Sequence, residues 1–71
     1  MEWQGCDLVE QIPGKMGGRP VVKGTRIEPE TVLVEEELGR TIEETHADFP
    51  TLSLDTILGI RAFARSKQLV S

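Results

Sequence analysis

Residues 17–27 read GGRPVVKGTRI, and this stretch decides the predicted fold. Its glycines can adopt positive φ, while Pro20 fixes its own φ and favours an extended Arg19. The β-branched residues of the stretch, which favour a pleated strand, are Val21, Val22 and Ile27. We expect a tight β element, in which residues 21–27 form one bent strand or two very short ones. Either Lys23 and Gly24 form the centre of a turn, or Gly24 marks a bulge.

The preceding residues extend this β element towards the N-terminus. Residues 6–12 form a strand candidate that ends at a Pro-Gly turn pair. We therefore predict a basic β element over residues 6–27 and flexible residues before it, at 1–5. Trp3 is expected to pack either on the core or on a partner. The cations of the β element are Lys15, Arg19, Lys23 and Arg26.

The composition fits one small globular domain. The chain has 71 residues, with 8 Lys and Arg against 12 Asp and Glu, and we treat residues 1–71 as a single domain. The net charge of −4 argues against indiscriminate nucleic-acid binding, although the acids concentrate in residues 28–50 and leave the front basic. The single cysteine, Cys6, favours a reducing compartment. Because the sequence shows neither a signal peptide nor an apolar run of membrane-spanning length, we expect a cytoplasmic protein without membrane contact.

After residue 27 the pattern predicts three helices, which together occupy residues 28–67. The first begins at Glu28-Pro29, where proline is tolerated, and ends at Gly39. Spacing by three and four predicts its inner face, which consists of Thr31, Val34 and Leu38 and is widened by Val32 and Leu33.

The second and third helices have clear start signals. Thr41 and Glu44 match a capping box at the start of the second helix, and Pro50 ends it. Its predicted inner face contains Ile42, Thr45, His46 and Phe49. Ser53 caps the third helix, whose apolar arc contains Leu54, Ile57, Leu58, Ile60 and Ala64. The predicted fold class is α+β, mostly α: a short N-terminal β element and a three-helix helix-turn-helix domain of the winged-helix or homeodomain-like kind.

The last two helices carry the helix-turn-helix pattern of a short helix, a turn and a longer capped helix. In such units the start of the last helix enters the DNA major groove. Here the hydroxyl residues at that position are Thr51, Ser53 and Thr56. Asp55 would face phosphates unfavourably if it pointed outward, so the basic β element is the better electrostatic contact, as a wing or arm. The same pattern also fits helices that only form a core.

Enzyme signatures are absent from the sequence. It contains no nucleophile–base constellation and no metal-ligand spacing, and its glycines match no phosphate-binding loop. His46 lies on an apolar helix face and is expected to be a core or boundary residue. We expect no catalysis, no cofactor and no metal.

Several motifs taken together resemble one bacterial family. They are Ile12-Pro13-Gly14, GGRPVVKGTRI, Thr41-Ile42-Glu43-Glu44 and DFPTLS at 48–53. Over about residues 7–65 the chain resembles the domain of unknown function numbered four hundred and thirty-three, whose members are described as VapB-like antitoxins. The resemblance implies a compact, often dimeric helix-turn-helix domain that neutralises a PIN-like ribonuclease toxin and binds its own promoter. Two segments depart from the family pattern, namely 28–30, in place of Pro-Val, and 59–64, in place of a more alanine-rich helix.

The leading prediction is an antitoxin-like DNA-binding regulator that forms a homodimer and acts without catalysis. Its predicted contacts with a double-stranded operator are Arg19, Lys23, Thr25 and Arg26 in the β element, and Thr51, Ser53 and Thr56 near the third helix. The alternative is a protein-interaction module that binds no DNA and docks a basic partner through an acidic run, Glu35, Glu36 and Glu37, which also fits a solvated face. In a third interpretation the basic hairpin only stabilises a dimer.

Overall fold

The computed structural model describes residues 3–70, with side chains described for residues 3–67. Two short antiparallel strands are followed by three helices. The elements in chain order are β1 (Val9–Glu10), a 3-10 helix (Met16–Gly18), β2 (Val21–Val22), α1 (Pro29–Glu37), α2 (Ile42–Asp48) and α3 (Leu54–Val70). This order confirms the predicted α+β, mostly α fold with its β element in front.

The β element is a hairpin of two strands, of which only β2 lies within residues 21–27, so that segment forms neither one bent strand nor two short ones. Its antiparallel register pairs Val9 with Val22 and Glu10 with Val21. β2 stops where the chain turns, since the Thr25 N–H donates to the Val22 carbonyl oxygen at 2.9 Å and Gly24 has a φ of +78°. Glycine supplies this positive φ at the third position of a tight turn. The turn alternative is therefore right and the bulge alternative is wrong.

Local capping determines where the helices begin. Thr41 Oγ1 accepts from the Glu44 N–H at 3.1 Å, and Glu44 Oε1 accepts from the Thr41 N–H at 2.9 Å, which confirms the predicted capping box. The Ser53 Oγ accepts from the Thr56 N–H at 3.1 Å, so α3 starts directly after Ser53 as predicted. Pro29 begins α1, where its missing N–H costs no intrahelical bond.

The core lies between the three helices and the hairpin. In the described residues its buried members are Trp3, Cys6, Val22, Val32, Leu52, Ile57, Ile60 and Ala64. The inner face predicted for α2 is confirmed, because Thr45 is buried while Ile42 and Phe49 pack against the core. Leu54 and Leu58 remain 38% and 49% exposed, so the buried arc of α3 is narrower than predicted.

The inner face predicted for α1 is wrong. Val32 is fully buried and Leu33 packs against the core, whereas Val34 and Leu38 are 51% and 70% exposed. Residues 32–34 form a continuous apolar run, so helical spacing fits an inner face centred on either side of it. The contact of α1 with α3 selects the side that contains Val32.

Trp3 closes the core at its N-terminal end. Its side chain is 5% exposed, stacks on Phe63 with ring centroids 5.7 Å apart, and donates from Nε1 to Glu30 Oε2 at 2.8 Å. Of the two predicted alternatives, packing on the core or on a partner, Trp3 therefore adopts the first. Of residues 1–5, which are predicted to be flexible, the first two lie outside the described residues.

We expect Trp3→Ala to lower the free energy of unfolding by about 3–5 kcal/mol, because it removes a large buried ring. This loss is comparable to the whole stability of a domain of this size, about 3–5 kcal/mol, so the variant should be largely unfolded. Trp3→Phe keeps a stacked ring and should lose less. Urea unfolding followed by far-UV circular dichroism measures both.

Leu38→Ala is the matched control, since Leu38 is 70% exposed and its truncation should cost no more than about 0.5 kcal/mol. Equal stability of Trp3→Ala and Leu38→Ala would contradict the role assigned to Trp3.

Candidate nucleic-acid interface

The turn between β2 and α1 is a closed hydrogen-bonded loop. Val22 donates its N–H to the Ile27 carbonyl oxygen at 2.8 Å. Within the loop, Thr25 Oγ1 donates to the Val22 carbonyl oxygen at 2.8 Å and accepts from the Ile27 N–H at 3.1 Å. The Thr25 hydroxyl, predicted as a DNA contact, therefore has both of these bonds inside the turn and shapes it.

Glu10 fastens this turn to the rest of the hairpin. Its Oε2 accepts from Lys15 Nζ at 2.9 Å and from the Gly24 N–H at 3.1 Å. The hydrogen bond from Lys15, followed by that from the Gly24 N–H, lowers the pKa of Glu10 below its ordinary value of 4.5. A charged Glu10 thus holds the turn and the preceding loop in one arrangement.

Two cations project from this turn. Lys23 and Arg26 are exposed, and in the described part of the chain neither makes an ion pair. Arg19, also predicted as a DNA contact, pairs instead with Glu28 at 3.1 Å, although its side chain remains 64% exposed. The turn therefore presents two cations that are available to an anionic ligand.

The connection between α2 and α3 forms a fixed helix-turn-helix corner. Leu52 is 1% exposed and anchors this corner in the core, while its carbonyl oxygen accepts a hydrogen bond from His46 Nδ1. His46 is half-buried there, as predicted for a boundary residue. Thr51 and Ser53 are exposed on the corner, and the Ser53 hydroxyl donates to Thr56 Oγ1 at 2.9 Å.

The hairpin reaches α3 through Leu8, which lies against Gly59. A Cβ placed on Gly59 would collide with Leu8 Cδ1, so the hairpin packs directly against α3 at this point. The Leu8 carbonyl oxygen in turn accepts from the Lys23 N–H at 2.9 Å. Thr56 precedes Gly59 by three residues and shares its helix face. The fold therefore links the backbone of the basic turn, through Leu8, to the flank of α3 that carries Gly59.

The outward side of α3 differs from a typical DNA-reading surface. It carries the half-exposed Leu54 and Leu58 together with Asp55 and Ala62, both exposed. These side chains offer no donor to base edges or phosphates. The sequence pattern assigned both leucines to the core, so their exposure was not predicted. Asp55 points outward, where it would face phosphates unfavourably.

The acidic run of α1 is largely neutralised by partners within the chain. Glu35 Oε1 lies 3.1 Å from Arg40 Nε, and Arg40 also reaches Asp48 Oδ2 at 2.7 Å. Glu36 Oε2 lies 3.9 Å from Arg61 Nε and 3.3 Å from an Arg65 guanidinium nitrogen. Of the predicted partner-binding acids, only Glu37 is exposed without an ion pair in the described residues.

Within this cluster the pKa of the Glu35 carboxyl is raised. Desolvation, together with a hydrogen bond to the neighbouring Asp48, raises the pKa of Glu35 above 4.5, although Arg40 opposes the shift. Coulombic attraction by the Asp48 carboxylate and by the Glu35 carboxylate raises the pKa of Arg40. Arg40 therefore remains a cation between the two acids. This cluster joins the end of α1 to the end of α2 and serves the fold.

Other kinds of site find no support in the described residues. Among residues 3–70 no three His, Cys, Asp or Glu side chains come together as metal ligands. Within the same part of the chain, no helix has the combined length and apolarity that crossing a bilayer requires.

A family described as "Protein of unknown function (DUF433)" matches residues 9–64. The chain belongs to the DUF433 family. Among solved structures, it is similar to the crystal structure of a DUF433 member protein from Anabaena variabilis ATCC 29413, with a TM-score of 0.68 and 22% sequence identity. The similarity covers 83% of this chain and 58% of that one, so this chain spans little more than half of its neighbour's length. No curated protein matches the chain.

The match confirms the DUF433 family that the sequence motifs predict. The matched range of DUF433 includes the whole hairpin turn and the helix-turn-helix corner and ends within α3. At 22% identity, the Anabaena structure supports the fold of this DUF433 domain and carries no information on its ligands.

We expect Glu10→Gln to lower the melting temperature at pH 7, because the variant loses the negative charge that binds the Lys15 ammonium and the Gly24 N–H. Since the pKa of Glu10 is lowered by folding, its stabilisation is present above about pH 4.5 and is lost as pH falls through the folded-state pKa. The difference between variant and wild type should therefore shrink below pH 4.5. Thermal unfolding from pH 7 to pH 3 measures it.

Glu37→Gln is the control, because Glu37 is exposed and makes no ion pair in the described residues. It should not lower the melting temperature at pH 7. A Glu10→Gln difference that is independent of pH would show that the carboxylate charge is not what holds the turn.

Proposed function

We propose that this DUF433 domain is an antitoxin-like regulator that binds double-stranded DNA at its own promoter in the cytoplasm. One observation carries the proposal: a hydrogen-bonded turn, linked through Leu8 to the flank of α3 near Gly59, carries Lys23 and Arg26, which are exposed and make no ion pair in the described residues. Cations held by a fixed backbone are suited to phosphates, since less conformational freedom is lost on binding.

In this proposal each predicted residue has a defined part. Lys23 and Arg26 contact the phosphate backbone, and Arg19 adds a cation whose charge is shared with Glu28. The hydroxyls near the start of α3 approach phosphates or base edges, and they belong to the exposed Thr51 and Ser53 and to the half-buried Thr56. Thr25 acts through the shape of the turn. Because the net charge is −4, non-specific attraction to DNA is weak and binding depends on this local surface.

We further propose that α1 neutralises a PIN-like ribonuclease toxin. Val34 in α1 and Leu38, the residue that directly follows this helix, form an exposed apolar strip at the end of α1, and Glu37 between them is exposed. An apolar strip beside an acid fits a partner surface that is apolar and basic. This contact differs from the one predicted from the sequence, because Glu35 and Glu36 already pair within the chain.

We expect Arg26→Glu to weaken binding to DNA from upstream of the gene and to reduce the slope of log affinity against log salt by about 1 or more, because one phosphate contact is lost. Fluorescence anisotropy over a salt series, with scrambled DNA as competitor, measures both.

The matched control is Lys67→Glu, which reverses a cation near the far end of α3, where Lys67 lies over Phe63. It should leave the salt slope unchanged. Unchanged affinity and slope in folded Arg26→Glu would overturn the assignment of this turn to DNA.

A second candidate function is a protein-interaction module that binds no DNA, and the exposed strip on α1 favours it. We expect Leu38→Glu to abolish inhibition of a PIN-like ribonuclease encoded beside this gene, because a charge enters the apolar contact. A fluorogenic RNA cleavage assay measures inhibition. Ile12→Glu, at a residue 43% exposed on the hairpin side, is the control and should inhibit like wild type.

The DNA-binding assay and the inhibition assay together distinguish the two functions. Inhibition with no DNA binding at low salt supports the interaction module alone. Full inhibition by Leu38→Glu would place the toxin contact elsewhere on the molecule.

A further inference from the structure

The outer face of α3 is an exposed surface that neither proposed activity uses. We define it by the exposed side chains that share one side of the helix: Leu54, Asp55, Leu58, Ala62, Arg65 and Ser66. Leu54 and Leu58 are four residues apart and form a continuous apolar ridge, which Ala62 extends one turn further. A soluble helix normally turns such a ridge towards other protein.

The charges along this face have a definite order. Asp55 lies in the first turn of α3, and Arg65 lies ten residues later. Arg65 contacts Glu36 Oε2 at 3.3 Å, but its side chain is 68% exposed and its guanidinium has further N–H donors for a second carboxylate. A partner helix running antiparallel with the same sequence would bring each Asp55 next to an Arg65. Antiparallel pairing also sets the positive end of one helix dipole beside the negative end of the other.

We propose that a second copy of this chain docks on the outer face of α3, with the two α3 helices antiparallel. In the register that joins Asp55 to Arg65 of the second copy, Leu58 faces the small Ala62 of that copy. Large and small side chains thus alternate across the pair, as close helix packing requires. The contact is isologous, so every interaction occurs twice.

The apolar strip of α1 does not fit a second copy equally well. Val34 and Leu38 lie on a helix whose exposed and half-exposed acids include Glu30 and Glu37. Two copies of α1 would bring like charges together at the edge of the contact, which disfavours their association. Charge complementarity therefore selects α3 for self-association and leaves α1 to a basic partner.

The proposed dimer has a geometric consequence for the hairpins. Leu8 and Trp3 pack on the Gly59–Phe63 flank of α3, beside the outer face rather than on it. The two-fold axis of an antiparallel helix pair is perpendicular to the plane that contains both helices. Rotation about this axis leaves a flank that lies above the plane still above it. Both hairpin turns therefore lie on the same side of the dimer. This doubles the cations available to one duplex, but self-association does not itself depend on DNA binding.

The test is sedimentation equilibrium of the full chain without DNA, over a concentration series. Wild type should approach twice the chain mass of 7.9 kDa. Leu58→Glu should raise the dimer dissociation constant about tenfold or more, which corresponds to 1.4 kcal/mol or more. The matched control is Val34→Glu, since Val34 is 51% exposed and Leu58 is 49% exposed. It should dimerise like wild type.

Charge exchange tests the register. Asp55→Arg and Arg65→Asp should each weaken the dimer, and the double variant should restore it because the pair is rebuilt with reversed sign. Circular dichroism confirms that each variant is folded. A monomeric wild type at high concentration, a dimer unaffected by Leu58→Glu, or a double variant weaker than both single variants would each overturn the proposed contact.

Discussion

The contact between Leu8 and Gly59 joins the hairpin to α3, and the candidate interface is built on this junction. A Cβ at position 59 would collide with Leu8 Cδ1, so glycine leaves room for the Leu8 side chain in its present position. Glycine inside a helix costs about 1 kcal/mol relative to alanine. That cost is offset by the packing of the hairpin and of Trp3 over α3. Because the Lys23 N–H bonds to the Leu8 carbonyl oxygen, the position of α3 is transmitted to the basic turn.

Features of the fold that depend on local chemistry could be predicted from the sequence. The capping box at Thr41, the cap at Ser53 and proline at the start of α1 are each specified within a few residues. The inner face of α1 could not be predicted, because consecutive apolar residues leave the helix free to turn either side inward. The place of Trp3 was equally hidden, since its partner Glu30 lies 27 residues away. Long-range packing decides both.

The candidate site also combines features that could be predicted from the sequence with features that could not. Its basic turn could be recognised from glycine, proline and cations in one short stretch. The inward role of the Thr25 hydroxyl could not, because a threonine in a turn is compatible with either direction. The acidic run was misleading for a related reason: Glu36 meets Arg65 across 29 positions, a pairing that no local pattern reveals. Charge counted along the sequence therefore overstates the charge that α1 presents to a partner.

The way in which the basic turn is built separates its shape from its surface chemistry. Thr25, Glu10 and the backbone of Gly24 hold the loop closed, whereas the side chains of Lys23 and Arg26 make no ion pair in the described residues. Substitutions at these two positions leave the supporting hydrogen bonds intact. Related chains can therefore diverge at the tip while the scaffold beneath it is conserved, and one backbone can acquire different ligand preferences through very few mutations.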